Sequence, residues 1–326
     1  MKVHILDDWF DTLQGLPCFG KLSKHDVKVW TDHVEDTDEL AARLHQAQAL
    51  VLFRERTKIS RALIEKLPDL KLISQRSVYP HVDVQACSDH GVLLCSNMHG
   101  GTPSYAAAEL TWALIMAGMR DLPAQIASAK AGHWQAGVGK TLRGRQLGLY
   151  GYGRIARAVA GYAEAFGMNV VWWSSGEGRA RAQADGVQVA PDRDAFFAKS
   201  DVVSIHVRLK PDTHGIVTAS DFAQMQSDAL FVNTSRAGLI VPGALLDALN
   251  AGRPGKAAID VFDTEPLTDP NDPLLSHPNL IATPHIGFVT EDEFDLQFAD
   301  IFDQVNAYAE NAPIHMINPE IWTNAR

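Results

Sequence analysis

Short apolar runs alternate with amphipathic ones through the first hundred residues, at 3–6, 39–47, 49–53, 62–67, 70–74 and 92–95. Brief apolar segments interleaved with helical periodicity give the rhythm of βαβ units on a parallel sheet. The rhythm then breaks. Asn97-Met98-His99-Gly100-Gly101-Thr102-Pro103 gathers turn residues, with Thr102 placed to cap a long apolar helix, Pro103 at its first turn, and the double glycine placed as a hinge.

After a polar, glycine-rich passage over 131–145, a second series begins with a strand at 146–150 and recurs at 170–173, 202–206, 230–233, 257–261 and 280–282. Six strands at this spacing predict a dinucleotide-binding sheet. Phe294, Phe298, Ile301, Phe302 and Val305 then recur at helical spacing, from 291 to about 310, before Asn311-Ala312-Pro313. A helix so late in the chain can return to pack on the first domain. The expected fold is α/β with two doubly wound parallel-sheet domains. One is a discontinuous, flavodoxin-like substrate domain over 1–99 plus 291–326, and the other a Rossmann cofactor domain over 100–290.

Composition narrows the function classes. A chain of 326 residues suits two domains of ~150 residues each, an arrangement that usually encloses a cleft. Acidic residues outnumber basic ones 39 to 29 and no basic run stands out, so nucleic acid is not an expected partner. Cys18, Cys87 and Cys95 form no CxxC pair, and an odd count fits a reducing compartment better than a disulfide framework. The start runs from a strand into Asp7 and Asp8 rather than into a signal peptide. The apolar stretch at 106–119 is interrupted by Glu109 and falls short of the ~20 residues a bilayer requires. A cytoplasmic protein with no membrane partner is expected. Metal-ligand spacings such as HExxH are missing, so no metal site is predicted.

Gly151-Tyr152-Gly153-Arg154-Ile155-Ala156 matches G-x-G-x-x-G/A directly after a predicted strand. Gly151 permits the tight turn, Gly153 lets backbone approach a pyrophosphate at the helix N-terminus, and Ala156 allows close packing on the sheet. The motif's usual acidic residue, about 20 positions on, bonds the ribose 2′-hydroxyl. Here Trp172-Trp173-Ser174-Ser175 ends in serine. Ser174 removes repulsion toward a 2′-phosphate, and Arg179 and Arg181 follow closely, which tilts the expectation toward NADP over NAD. Glu177 keeps the ribose contact open.

Three segments follow in order: Asn233-Thr234-Ser235-Arg236-Ala237-Gly238, Asp260-Val261-Phe262-Asp263-Thr264-Glu265-Pro266, and Thr283-Pro284-His285-Ile286-Gly287. Each follows a predicted strand, so Arg236, Glu265 and His285 can converge at the sheet's carboxyl edge. Arg236 offers a permanently charged fork to a keto acid. His285 is the natural donor to the alkoxide that hydride delivery creates, with Glu265 orienting the ring and stabilising its charged form. Reduction should then fade as pH rises through titration of the pair, while oxidation gains.

With these motifs the chain resembles the D-isomer-specific 2-hydroxyacid dehydrogenase family over nearly its whole length. The family includes glyoxylate, hydroxypyruvate and phosphoglycerate dehydrogenases. The resemblance implies transfer of a hydride between NAD(P)H and a small 2-keto or D-2-hydroxy acid. Arg236 then binds substrate, Glu265 pairs with the imidazole, and His285 is the acid-base. It further implies that Asp260 contacts the nicotinamide carboxamide, that Arg154 and Ile155 belong to the pyrophosphate loop, that His206 and Thr234 line the cofactor, and that the protein is a homodimer built through its cofactor domain. The family's substrate loop, often glycine-rich, here reads Gln75-Arg76-Ser77-Val78-Tyr79-Pro80. Ser77 and Val78, with Arg54, are the candidate substrate contacts of the first domain.

Competing explanations are structural. A strand-end histidine such as His206 is more often a satisfied internal group than a functional one, Trp172 and Trp173 suit sheet packing, and packing is also expected of Trp134. At the level of the whole chain, two rivals are a non-catalytic cofactor-sensing protein like the corepressors of this fold, and a short phosphoglycerate dehydrogenase. A chain that stops soon after Glu310 leaves no room for the regulatory domain that many of the latter carry.

Overall fold

The structure is a computed structural model describing residues 1–98 and 105–323. The Gly100-Gly101 hinge, the Thr102 cap and Pro103 lie outside the described residues. The chain divides into two compact units, Met1–Pro103 with Thr290–Arg326, and Ser104–Val289.

In the first unit, β1 (Lys2–Ile5), β2 (Asp26–Val29), β3 (Ala49–Val51), β4 (Leu72–Arg76) and β5 (Leu93–Asn97) form a wholly parallel sheet in the order β2-β1-β3-β4-β5. This is the flavodoxin-like order. The apolar pattern did not reveal β2, because an edge strand reading Asp-Val-Lys-Val buries neither face fully. Its Lys28 lies 3.8 Å from the Trp30 ring centroid, and Arg43 lies 4.4 Å from it. The helix Glu291–Ala309 starts where Thr290 accepts from the Glu293 N–H, with three acids in its first turn to complement the helix dipole. Its apolar stripe of Phe294, Phe298, Ile301, Phe302 and Val305 is buried. Each such side chain contributes about 1.5–3 kcal/mol. Polar ties fix the helix against β4: Ser74 Oγ donates to Ile301 O at 2.9 Å, and Gln304 Nε2 donates to Gln75 O at 3.1 Å.

The second unit holds β6 (Gln146–Tyr150), β7 (Asn169–Trp173), β8 (Val202–Ile205), β9 (Leu230–Asn233), β10 (Lys256–Ile259) and β11 (Leu280–Ala282), all parallel, in the order β11-β10-β9-β8-β6-β7. A parallel bridge from Trp172 to Val189 adds the start of a further position beyond β7. With it the sheet has the doubly wound arrangement, and strand order reverses between β6 and β8. Both faces are covered: Phe196, Phe197, Val203, Ile205 and Phe231 pack in one layer, and Leu114, Ile115, Val159, Val202 and Val232 in the other. Strands buried on both faces read as continuous apolar runs, which is why these were visible in the sequence.

Trp134 departs from expectation: it is 77% exposed, on left-handed backbone at φ +68. Gln125 explains the geometry by fixing this passage through polar bonds, accepting from Ala136 N and donating to Gly137 O. The preceding helix, Leu122–Lys130, buries no residue and leaves Ile126 exposed. The three cysteines are free and buried, and burial pushes each thiol up to about 12, with Asp295 adding to the effect at Cys18. Among the described residues, no helix is long and apolar enough to cross a membrane.

Candidate active site

The glycine loop lies at the strand-order reversal. Gly151 adopts φ +113, and a Cβ there would lie 2.3 Å from His206 O. Only glycine fits. Gly153 is different, with ordinary extended backbone and nothing within 4 Å of a would-be Cβ, and it precedes the helix Arg154–Ala165 without any side-chain cap. The first-turn N–H groups, those of Arg154 and Ile155 among them, thus face open space beneath a positive dipole end. Ala156 is fully buried against the sheet. A cradle that a single Cβ would fill, over uncapped amides, fits the pyrophosphate of a dinucleotide.

At the end of β7, Ser175 caps the helix Gly176–Ala184 by accepting from the Gly178 N–H. Ser174 packs so closely that a Cβ on Gly178 would lie 2.2 Å from its Oγ. Arg179 stacks 4.3 Å from the Trp173 ring centroid and donates to Ser174 O at 2.6 Å, which holds a cation beside Ser174. Glu177 and Arg181 are exposed. Trp172 is buried in the sheet.

His206 is the first residue past β8. Burial pushes its pKa down to about 4, so the ring is neutral, and Nε2 bonds Ser204 Oγ at 2.9 Å. Its carbonyl, not its ring, meets the glycine loop. Thr111 donates to Ala107 O, so the 2.7 Å contact between Thr111 and Thr234 has Thr234 as donor.

Arg236 follows β9 on a loop that Asn233 organises by donating to Arg236 O and accepting from Ser235 N. Glu265 follows β10, and its Oε1 accepts from the Phe262 N–H at 2.9 Å. His285 follows β11 on left-handed backbone at φ +53, and its Nδ1 meets Glu265 Oε2 at 2.5 Å. Burial pushes the Glu265 carboxyl up, but His285, the Phe262 N–H and the nearby Arg236 charge outweigh it and hold the group below the usual carboxylate range. A carboxylate only accepts, so Nδ1 is the donor in this bond and Nε2 is the ring nitrogen outside it.

Asp260, 1% exposed, ties β10 to the histidine loop. Its Oδ1 accepts from Thr283 Oγ1 at 2.6 Å and Ile286 N at 2.9 Å, and Oδ2 accepts from Gly287 N at 2.8 Å. Burial raises its pKa, and these bonds partly offset the rise. Sequence reasoning missed this tie, whose only signal is an acid at a strand end followed by small and β-branched partners far along the chain.

The first unit carries the remaining candidates at the carboxyl ends of its own strands. Arg54, past β3, has φ +60 and lies 3.6 Å from Glu55. Arg56 donates to Asp7 O and stacks on Trp9 and Phe53, and burial pushes its pKa down to about 10. Ser77 and Val78 follow β4, with Ser77 at φ +81. Among the described residues no group of three or more histidine, cysteine or acidic side chains is arranged to hold a metal ion.

Residues 112–287 match the family model described as "D-isomer specific 2-hydroxyacid dehydrogenase, NAD binding domain". The chain belongs to that family. Among relatives of this dehydrogenase-family chain, the D-3-phosphoglycerate dehydrogenase of Methanocaldococcus jannaschii is 36% identical, with 78% of this chain and 48% of that one covered. The hydroxypyruvate reductase of Thermotoga maritima is 34% identical over 82% of this chain and 87% of its own. The crystal structure of a phosphoglycerate oxidoreductase from Vibrio cholerae O395 superposes with a TM-score of 0.90 at 43% identity, covering 96% of this chain and 100% of that one. The chain spans about half the length of the curated phosphoglycerate dehydrogenases it matches.

Proposed function

We propose that this dehydrogenase-family protein interconverts a small 2-keto acid and the corresponding D-2-hydroxy acid. The bond between Glu265 and His285, set beside the Arg236 charge, carries the proposal. When bound, the nicotinamide supplies or accepts the hydride. Arg236 binds the substrate's carboxylate or carbonyl oxygen, and His285 Nε2 gives its proton to the developing alkoxide, or takes it in the reverse direction. Glu265 holds the ring and stabilises its charged form. On the first unit, the loop amides near Ser77 and Val78, with Arg54, are the proposed carboxylate contacts.

The uncapped helix after Gly153 supports pyrophosphate binding. Arg179, stacked beside Ser174, supports a preference for NADP through its reach to a 2′-phosphate. Asp260, His206 and Thr234 act by shaping this pocket. A homodimer is supported by the apolar side chains left open on 122–138, where Val138 is 95% exposed. Three unpaired thiols fit a reducing, cytoplasmic compartment.

Steady-state assay of glyoxylate, hydroxypyruvate and 3-phosphohydroxypyruvate with NADH and NADPH tests the proposal. The expected result is turnover, faster with NADPH, that His285→Ala abolishes while cofactor affinity stands. Failure to oxidise either cofactor with any keto acid overturns it in favour of a cofactor-sensing role.

A further inference from the structure

The loop after β4 lacks glycine, yet Ser77 takes the left-handed backbone, φ +81, that glycine adopts without penalty. A side chain there is strained. Gln75, fully buried beneath the loop, supplies the offset. Its Nε2 donates toward Ser77 O at 3.1 Å, Val78 O at 3.2 Å and Ser96 Oγ at 3.0 Å. Ser96 Oγ also donates to Ser77 O at 2.6 Å, and Ser77 N donates to Asn97 O at 3.1 Å.

Two successive carbonyls are therefore drawn inward. Each peptide is planar and trans, so the N–H opposite each carbonyl turns outward. These are the N–H groups of Val78 and Tyr79, which donate to no other described residue. Adjacent amides aimed the same way beside a left-handed residue make an anion-binding concavity. The Gln75 amide is not there merely to fill the core: its Oε1 has no partner among the described residues, a penalty that an apolar residue of the same shape would avoid.

We propose that Gln75, helped by Ser96, is a positioning residue that sets the Val78 and Tyr79 amides to receive the substrate carboxylate. The inference rests on the proposal above that this loop binds that carboxylate. Glyoxylate tests it, because its binding handles are only a carboxylate and a carbonyl. Gln75→Met keeps the volume and removes the donor, and KM for glyoxylate should rise about tenfold while kcat and cofactor Kd hold within about twofold. Gln75→Glu, which sets an acceptor against two carbonyls, should raise KM further. Tyr79→Pro deletes one outward N–H and should also raise KM.

If Tyr79→Pro raises KM and Gln75→Met does not, the role of Gln75 is overturned and the carboxylate assignment stands. If KM is unmoved in every variant, the carboxylate assignment itself falls. Should Gln75→Met fail to fold, Ser96→Ala removes a second bond to the same carbonyl. A raised KM at unchanged kcat in that variant supports the proposal, and an unmoved KM overturns it.

Discussion

Glu265→Gln tests how far the carboxylate supports the histidine. The carboxylate serves two donors at once, the Phe262 N–H at Oε1 and His285 Nδ1 at Oε2. An amide has one oxygen, so one of these bonds becomes a donor–donor clash or is lost. The two side chains are 27% and 32% exposed, buried enough for a charge-assisted bond to keep about 1.5–3 kcal/mol of its strength. At 1.36 kcal/mol per tenfold in rate, losing that bond is worth about ten- to a hundredfold. Reduction needs a ring that is held in place and can carry the charge, and the carboxylate serves both needs. kcat/KM for keto-acid reduction should therefore fall by about ten- to a hundredfold in Glu265→Gln, as read from steady-state assays of both proteins on one substrate. An unchanged kcat/KM would refute the coupling. Stability follows the same pair: because Glu265 is held below its ordinary range, its contribution is complete above the unfolded value and is lost as pH falls through the depressed one.

Gly151→Ala and Gly153→Ala should fail in opposite ways. The first drives a Cβ into the His206 carbonyl on disallowed backbone and should cost about 3 kcal/mol or more in urea unfolding. The second meets nothing, so its unfolding midpoint should hold while NAD(P)H affinity, followed by fluorescence titration, falls about tenfold or more. Asp260→Asn turns an amide N–H toward the Gly287 or Ile286 N–H, loosens the histidine loop, and should lower kcat by about a hundredfold at little change in cofactor Kd. An Asn variant with normal kcat would show that the tie is dispensable.

Much of the second unit was visible in the sequence because its central strands are buried on both faces and so stand out as apolar runs. Even there the ends shifted: β8 stops at Ile205, so His206 lies on a loop and presents a carbonyl, not an imidazole, to Gly151. The charged edge strand β2 escaped detection because period-2 burial on a sheet edge leaves no apolar run. Trp134 misled because a large aromatic is a good bet for packing unless the backbone around it is fixed by something else. Motifs identified Arg236, Glu265 and His285 as residue types. They did not reveal the Asp260 tie, the Arg179 stack on Trp173 or the Gln75 scaffold, because each is a contact set by tertiary geometry, and local sequence carries no periodic trace of it.

The buried thiols have a practical consequence. With each pKa near 12, only about one thiol in 10⁵ is a thiolate at neutral pH, and burial blocks reagents from the rest. The native chain should therefore react little with maleimides. A single cysteine introduced at Val138, almost wholly exposed, would take a fluorophore on its own, and a change in that dye's emission with protein concentration would test the proposed homodimer with every native cysteine left in place.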